Sequence, residues 1–273
     1  MKATVLGLGM LAALGCAGGP EPSERTDADA VTAASAESLA RALEDARRFQ
    51  AQSDWLAAWQ AWDKAAALDG TRAHEAEIAE GRLAVGKAIA IDGARVELWG
   101  LLPDRQRGID YLLSTARQHR HGDVAPRALF YAAQASRLMG EPDLARLYLD
   151  QLVQLYRESG WAEAAEYERV LALLQAARTL EHDLEPLEEC HWRLTFYLDD
   201  YPSGPNAAAA RATLDAVRDN LAERDYRTGR WYERQGKPDA ARHYYREVAR
   251  RFPTSRWTEE ATARLEGLPA PGP

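Results

Sequence analysis

An all-α chain, in which antiparallel helix pairs stack into a right-handed solenoid, is the fold this sequence predicts, and three observations predict it. Ala and Leu dominate while Val, Ile and Thr are sparse, which is the composition of helices and not of sheets. From Ser38 onward apolar residues recur at spacings of three and four. One spacing pattern also returns about five times: a small residue, another small one at +5, a large one at +9 and an apolar one at +12.

Bulk properties narrow the classes. The 273 residues, 46% of them hydrophobic, suffice for the core of one elongated domain. A charged content of 28% with a net charge of −8 leaves no basic surplus to neutralise phosphates, which argues against nucleic acid as a partner.

Residues 1–16 read as an address and not as structure. Met1 and Lys2 form a short positive region, and Thr4 to Leu14 is apolar but too short to span a bilayer. The run Leu11-Ala12-Ala13-Leu14-Gly15-Cys16 resembles a bacterial lipoprotein signal, which implies lipid attachment at Cys16. It departs from the usual pattern at Ala13 and Leu14. An ordinary secretory signal cut after Ala17 stays open, since Gly15 and Ala17 are both small. In a lipoprotein signal the absence of Asp after Cys16 implies the outer membrane. Residues 17–36 carry small, acidic and turn residues without apolar period and predict a flexible tether, which over about twenty residues would span roughly 25 Å. The helical domain is expected over 37–268.

The second helices of the pairs align on Ser53, Ala58, Trp62 and Ala65; on Pro103, Gly108, Leu112 and Thr115; on Gly140, Ala145, Leu149 and Leu152; on Glu185, Cys190, Leu194 and Tyr197; and on Gly236, Ala241, Tyr245 and Val248. From +5 onward the spacing is four and then three, so these residues share one helix face. The small one lets two helices cross closely and the large one fills the space beside it. Cys190 stands where other copies have Ala, so it reads as a small buried apolar residue. The second pair is interrupted by an insertion, Asp92 to Leu102. Tyr201-Pro202 and Phe252-Pro253 close helices. The pairs are therefore about 38–69, 73–120, 124–157, 161–201 and 206–252, with Arg256 to Leu265 as a capping helix.

Arg224 to Pro253, with Gly229, Tyr232, Gly236, Ala241, Tyr245 and Pro253 at consensus positions, resembles the tetratricopeptide repeat. Cys190 to Leu265, and LAERDYRTGRWYERQGKPDAARHYYREVARRFPTS in particular, is similar to the C-terminal half of the BamD type of outer-membrane assembly lipoprotein. That resemblance implies a lipid-anchored scaffold facing the periplasm that takes part in outer-membrane β-barrel assembly. It implies protein partners: unfolded barrel substrates toward the N-terminal half and a large assembly subunit on the C-terminal repeats. A different envelope adaptor, serving cell-wall enzymes or pilus and secretin assembly, is the alternative.

No catalytic, cofactor or metal constellation emerges, so the chain does not read as an enzyme. Cys190 and His191 are neighbours on a helix and point about 100° apart, which prevents a nucleophile and base pair. His119 and His121 flank a helix end with no thiol or carboxylate at supporting spacing. Glu188-Glu189 reads as a solvated face. The first helices of such pairs line the concave surface, where the alignment projects Arg47, Arg127, Gln134, Arg137 and Arg230. An arginine-lined groove would suit an extended peptide ending in a carboxylate. The competing reading is that these arginines pair with acids on adjacent helices. Among the aromatics, Trp231, Tyr244 and Trp99 are left over from core duty and are candidate docking residues.

Overall fold

The computed structural model describes residues 22–94, 104–179 and 185–269, with side chains from residue 33 onward. The signal 1–16 with Cys16, residues 17–21, and the insertion from residue 95 onward with Trp99 lie outside the described residues. Among the described residues there are eleven helices and no strand: α1 Pro22–Ala51, α2 Trp55–Leu68, α3 Glu75–Ala90, α4 Arg105–Gln118, α5 Val124–Leu138, α6 Pro142–Leu155, α7 Ala162–Thr179, α8 Glu185–Asp200, α9 Ala207–Arg234, α10 Pro238–Arg251 and α11 Trp257–Gly267. None of them is long and apolar enough to cross a membrane.

Each helix packs mainly on its neighbours in sequence, and the odd-numbered helices α1, α3, α5 and α7 also pack on one another in series, which is the connectivity of an α-solenoid. The spacing rule holds in all five pairs. Ala58, Trp62 and Ala65 on α2, Leu112 and Thr115 on α4, Ala145, Leu149 and Leu152 on α6, Cys190, Leu194 and Tyr197 on α8, and Ala241, Tyr245 and Val248 on α10 are all buried. Gly108, which takes the +5 place on α4, is buried too; a Cβ there would come within 2.4 Å of the Ala90 backbone nitrogen on α3. That crossing is tighter than Ala allows.

Three buried clusters follow one another along the solenoid: one under α1–α3, one from α3 to α7 and one from α7 to α11. α7 serves two of them, with Ala165 and Ala172 facing back and Val170 and Leu173 facing forward. Adjacent repeats thus share side chains instead of abutting as closed units.

The breaks within pairs also follow the sequence. Gly140 and Gly236 adopt φ of 82° and 66°, each followed two residues later by a proline that opens the next helix. Ser53 occupies the equivalent place with φ of 58°, a left-handed conformation that a β-carbon disfavours. Ser53→Gly is expected to raise stability by about 0.5–1 kcal/mol, seen as a higher urea midpoint for the transition that includes α1 and α2; a lower midpoint would refute it.

One boundary needs correction. The segment 17–36 was expected to be tether throughout, but α1 begins at Pro22, so 22–36 is helical. The physical reason lies in its composition. The Ala, Glu, Asp and Ser residues that keep a segment soluble also include strong helix formers, Pro22 suits a first helical position, and α1 continues unbroken from a well-packed half that ends at Ala51. In addition, α9 runs 28 residues, nearly twice the length of α3 and α5, which lets it brace α8, α10 and α11 together.

Candidate binding face

Four of the five polar residues projected from sequence, Arg47, Arg127, Gln134 and Arg137, are joined to acids on neighbouring odd-numbered helices. Arg47 Nε on α1 donates to Glu77 on α3 at 2.6 Å, and Arg127 Nη1 on α5 reaches back to Glu80 on α3 at 2.6 Å. Farther along, Gln134 Nε2 and Arg137 Nε on α5 share Glu168 on α7 at 3.0 and 3.1 Å. Gln175 of α7 returns a bond to the Arg137 carbonyl at 3.0 Å. The result is a ladder of charge-assisted contacts from α1 through α7. The Arg47 hydrogen bond holds the Glu77 carboxyl below its ordinary value. Arg230 lies outside the ladder: its Nη1 meets the Tyr226 hydroxyl at 3.4 Å while its Nε is buried without a partner.

Arg47, Arg127 and Arg137 are therefore engaged by acids on adjacent helices, and the face is not a bare cationic strip. Pairs this close to the surface add little stability, and they leave the face a polar lining of matched charges. Any carboxylate arriving there must compete with Glu77, Glu80 and Glu168.

The C-terminal repeats present a different surface. Asp225, buried at 5% exposure, gathers Arg224 at 2.8 Å and Arg251 at 3.6 Å, and both arginines also contact Glu188 of α8. Beside this network α9 exposes Arg227, Trp231 and Arg234 along an open recess of about 580 Å³. Trp231 is 47% exposed and meets Tyr232 edge-on at 4.8 Å, while Tyr232 stacks on Tyr244 of α10 at 5.5 Å. Two of the three aromatics singled out from sequence thus belong to one cluster across α9 and α10, with an indole outward and cations on either side.

At Cys190 and its neighbour His191 the geometry does not favour nucleophilic chemistry. Cys190 is fully buried, its thiol pushed up to about 12 by burial, with the Val170 carbonyl 3.8 Å from Sγ. His191 is pulled below its ordinary value by burial and packs edge-on against Phe252. His119 Nδ1 lies 3.6 Å from Glu75, while His121 is exposed in the following loop. Among the described residues no group of three His, Cys, Asp or Glu side chains is placed to hold a metal ion.

Comparison with known protein families covers the later repeats. The family model described as outer membrane lipoprotein, YfiO, matches residues 104–267, which is α4 through α11 and more than half of the chain. The chain belongs to this family. The outer membrane protein assembly factor BamD of Caulobacter vibrioides is 27% identical over 157 residues, 58% of this chain and 52% of that protein, so the chain spans about half the length of this curated relative. Among solved structures, the crystal structure of MamA protein is similar with a TM-score of 0.40 and 14% identity, over 87% of this chain and 100% of that one. Within the YfiO family match lie the α9–α10 surface and the Arg137–Glu168 rung; the Arg47–Glu77 rung precedes it.

Proposed function

We propose that this chain is a lipid-anchored scaffold in outer-membrane β-barrel assembly that binds protein partners and unfolded barrel substrates and catalyses no reaction. The observation that carries the reading is the placement of the family match on α4–α11, together with a relative that is named an assembly factor. In this reading residues 1–16 are removed, Cys16 carries the lipid, residues 17–21 with the start of α1 lead away from the membrane, and 37–268 form the scaffold. The α9–α10 surface around Trp231 and Tyr244 is where the large assembly subunit docks, a cation-flanked exposed indole being the kind of anchor that interfaces favour. The odd-numbered helices, with Arg47, Arg127, Gln134, Arg137 and Arg230, form the lining for extended substrate.

Depletion of the chain followed by quantitative proteomics of the envelope tests the role. Many barrel proteins are expected to fall together. If they hold steady while cell-wall enzymes or a pilus secretin are lost, the chain is a different envelope adaptor. Radiolabelled palmitate incorporated into the wild type and absent from Cys16→Ser tests the anchor.

The lining has its own test. Replacing Arg127 and Arg137 together by Ala uncovers Glu80 and Glu168, so affinity for a fluorescein-labelled acidic barrel-strand peptide is expected to drop roughly three- to tenfold at low salt, and less at high salt. Unchanged affinity at both ionic strengths would remove these residues from the binding face.

A further inference from the structure

A second recess lies on the even-numbered side of the solenoid, between α4 and α6, with a volume of about 510 Å³. Its floor and walls are Leu113 and Ala116 of α4, Leu129 of α5, and Tyr148 and Leu155 of α6. Leu155 is 64% exposed, a large apolar side chain standing in water at the edge of a concavity. The apolar surface does not end there. Leu144 and Leu147 are also exposed on α6, so Leu144, Leu147, Tyr148 and Leu155 form a stripe at three-, four- and seven-residue spacing. From Leu144 to Leu155 that stripe is about 16 Å long, close to three helical turns.

At one end the recess changes character. Arg117 and Arg120, in and just after the last turn of α4, stand at its rim. Among the described residues neither is engaged by a carboxylate; Arg120 Nε spends its hydrogen bond on the Arg117 carbonyl at 3.2 Å. Four arginines on the neighbouring helices are matched: Arg127 with Glu80, Arg137 with Glu168, Arg146 with Glu189 and Arg169 with Asp150. In a chain of net charge −8, two unmatched guanidinium groups beside an apolar trough are a charge pattern that asks for an acidic complement.

We infer that this trough is a docking site for an acidic amphipathic helix of about three turns from another envelope protein. Its apolar face lies along the Leu144–Leu155 stripe and enters between Leu113, Leu129 and Tyr148, while carboxylates on its flank meet Arg117 and Arg120. The walls are helix side chains whose backbone groups are already satisfied, so an extended strand would find no ladder to join, whereas a helix brings its own hydrogen bonds. The surface is concave, and a flat bilayer would leave it unfilled. This site is separate from the odd-numbered lining and from the α9–α10 surface, and it does not rest on the assembly role.

The test uses the full-length chain in its native envelope, with the photo-crosslinker p-benzoylphenylalanine in place of Gln151, an exposed residue on the recess rim. The captured peptide is then sequenced. The expected adduct is a segment of another protein with apolar residues at three- and four-residue spacing and at least two acidic residues on the flank. Its yield should fall about tenfold in the Arg117→Glu, Arg120→Glu double variant, stay level in Arg246→Glu, and return when the two captured acids are changed to Lys. All three arginines are exposed, and circular dichroism of each variant checks that it folds before its yield is compared. A captured segment that is basic or lacks apolar periodicity, one from a second copy of this chain, a lipid adduct, no adduct, or a yield indifferent to charge reversal would each overturn the proposal.

Discussion

Replacing Arg82 by Ala is expected to destabilise the N-terminal half by about 3 kcal/mol, whereas Arg82→Met is expected to lose only about 1 kcal/mol. Arg82 sits on α3 at 1% exposure, and a cation there is held by several partial contacts. Its Nη2 meets Asp63 of α2 at 2.8 Å and Ser114 of α4 at 3.4 Å, Nη1 bonds Gln118 of α4, and Nε has no partner. The guanidinium lies 4.6 Å from the centre of the Trp59 ring, which itself stacks on Tyr111 of α4 at 3.8 Å. Burial pulls the Arg82 pKa down while Asp63 opposes the shift. Ala removes a side chain that ties three helices and leaves a void beside Trp59. Met keeps most of the volume and takes away a desolvated charge, and the half-exposed Asp63 returns to water with little penalty. In a solenoid the effect is local, so urea unfolding of Arg82→Ala should show an early transition in which the fluorescence of Trp59 and Trp62 changes first. Equal losses for Ala and Met would mean that the charge, and not the packing, holds this junction.

How much was legible in the sequence depends on how far apart the cooperating residues are. The buried stripe of each even-numbered helix is written in residues four and three apart, and Ala145, Leu149 and Leu152 announce themselves without reference to any other segment. The same register projects Arg47, Arg127 and Arg137 onto odd-numbered helices, but it does not say what engages them. The acids that engage Arg47, Arg137 and Arg127 stand 30, 31 and 47 residues away, and either an open arginine groove or a paired ladder fits the sequence alone. Arg82 was missed because an arginine on an amphipathic helix is ordinarily solvated; the signal was the small Gly81 beside it, which brings Trp62 against α3. The α4–α6 recess was missed for a related reason. Leu144, Leu147 and Leu155 read as ordinary apolar residues of α6, and only the packed structure shows that they face outward.

In the C-terminal repeat the two positions Gly229 and Tyr245, which carried the repeat resemblance, are expected to behave as one unit. Tyr245→Ala should cost about 3–5 kcal/mol, since the ring is fully buried on α10 and its hydroxyl donates to Glu233 of α9 at 2.7 Å. Burial and then that bond raise the phenol pKa, so the hydroxyl stays protonated and keeps donating across the neutral range. Gly229 faces this ring: a Cβ there would come within 2.6 Å of Tyr245 Cε1 and 2.8 Å of Cδ1. The ring cannot retreat, being bounded by Tyr226 at 5.8 Å and held at its tip by Glu233. Gly229→Ala alone should therefore lose about 2 kcal/mol even after the gain of about 1 kcal/mol in helix propensity. Together the two substitutions should lose at least about 1 kcal/mol less than their sum, because the space vacated by Tyr245 admits the new methyl group. Tyr245→Phe separates the ring from the hydroxyl and should lose only about 1 kcal/mol. Strict additivity in this cycle would mean that Gly229 is required for helix flexibility and not for the close approach of α10. Since α9 and α10 also carry the Trp231–Tyr232–Tyr244 cluster, a variant that separates them should weaken the docking proposed for that surface, while Tyr245→Phe should dock like the wild type.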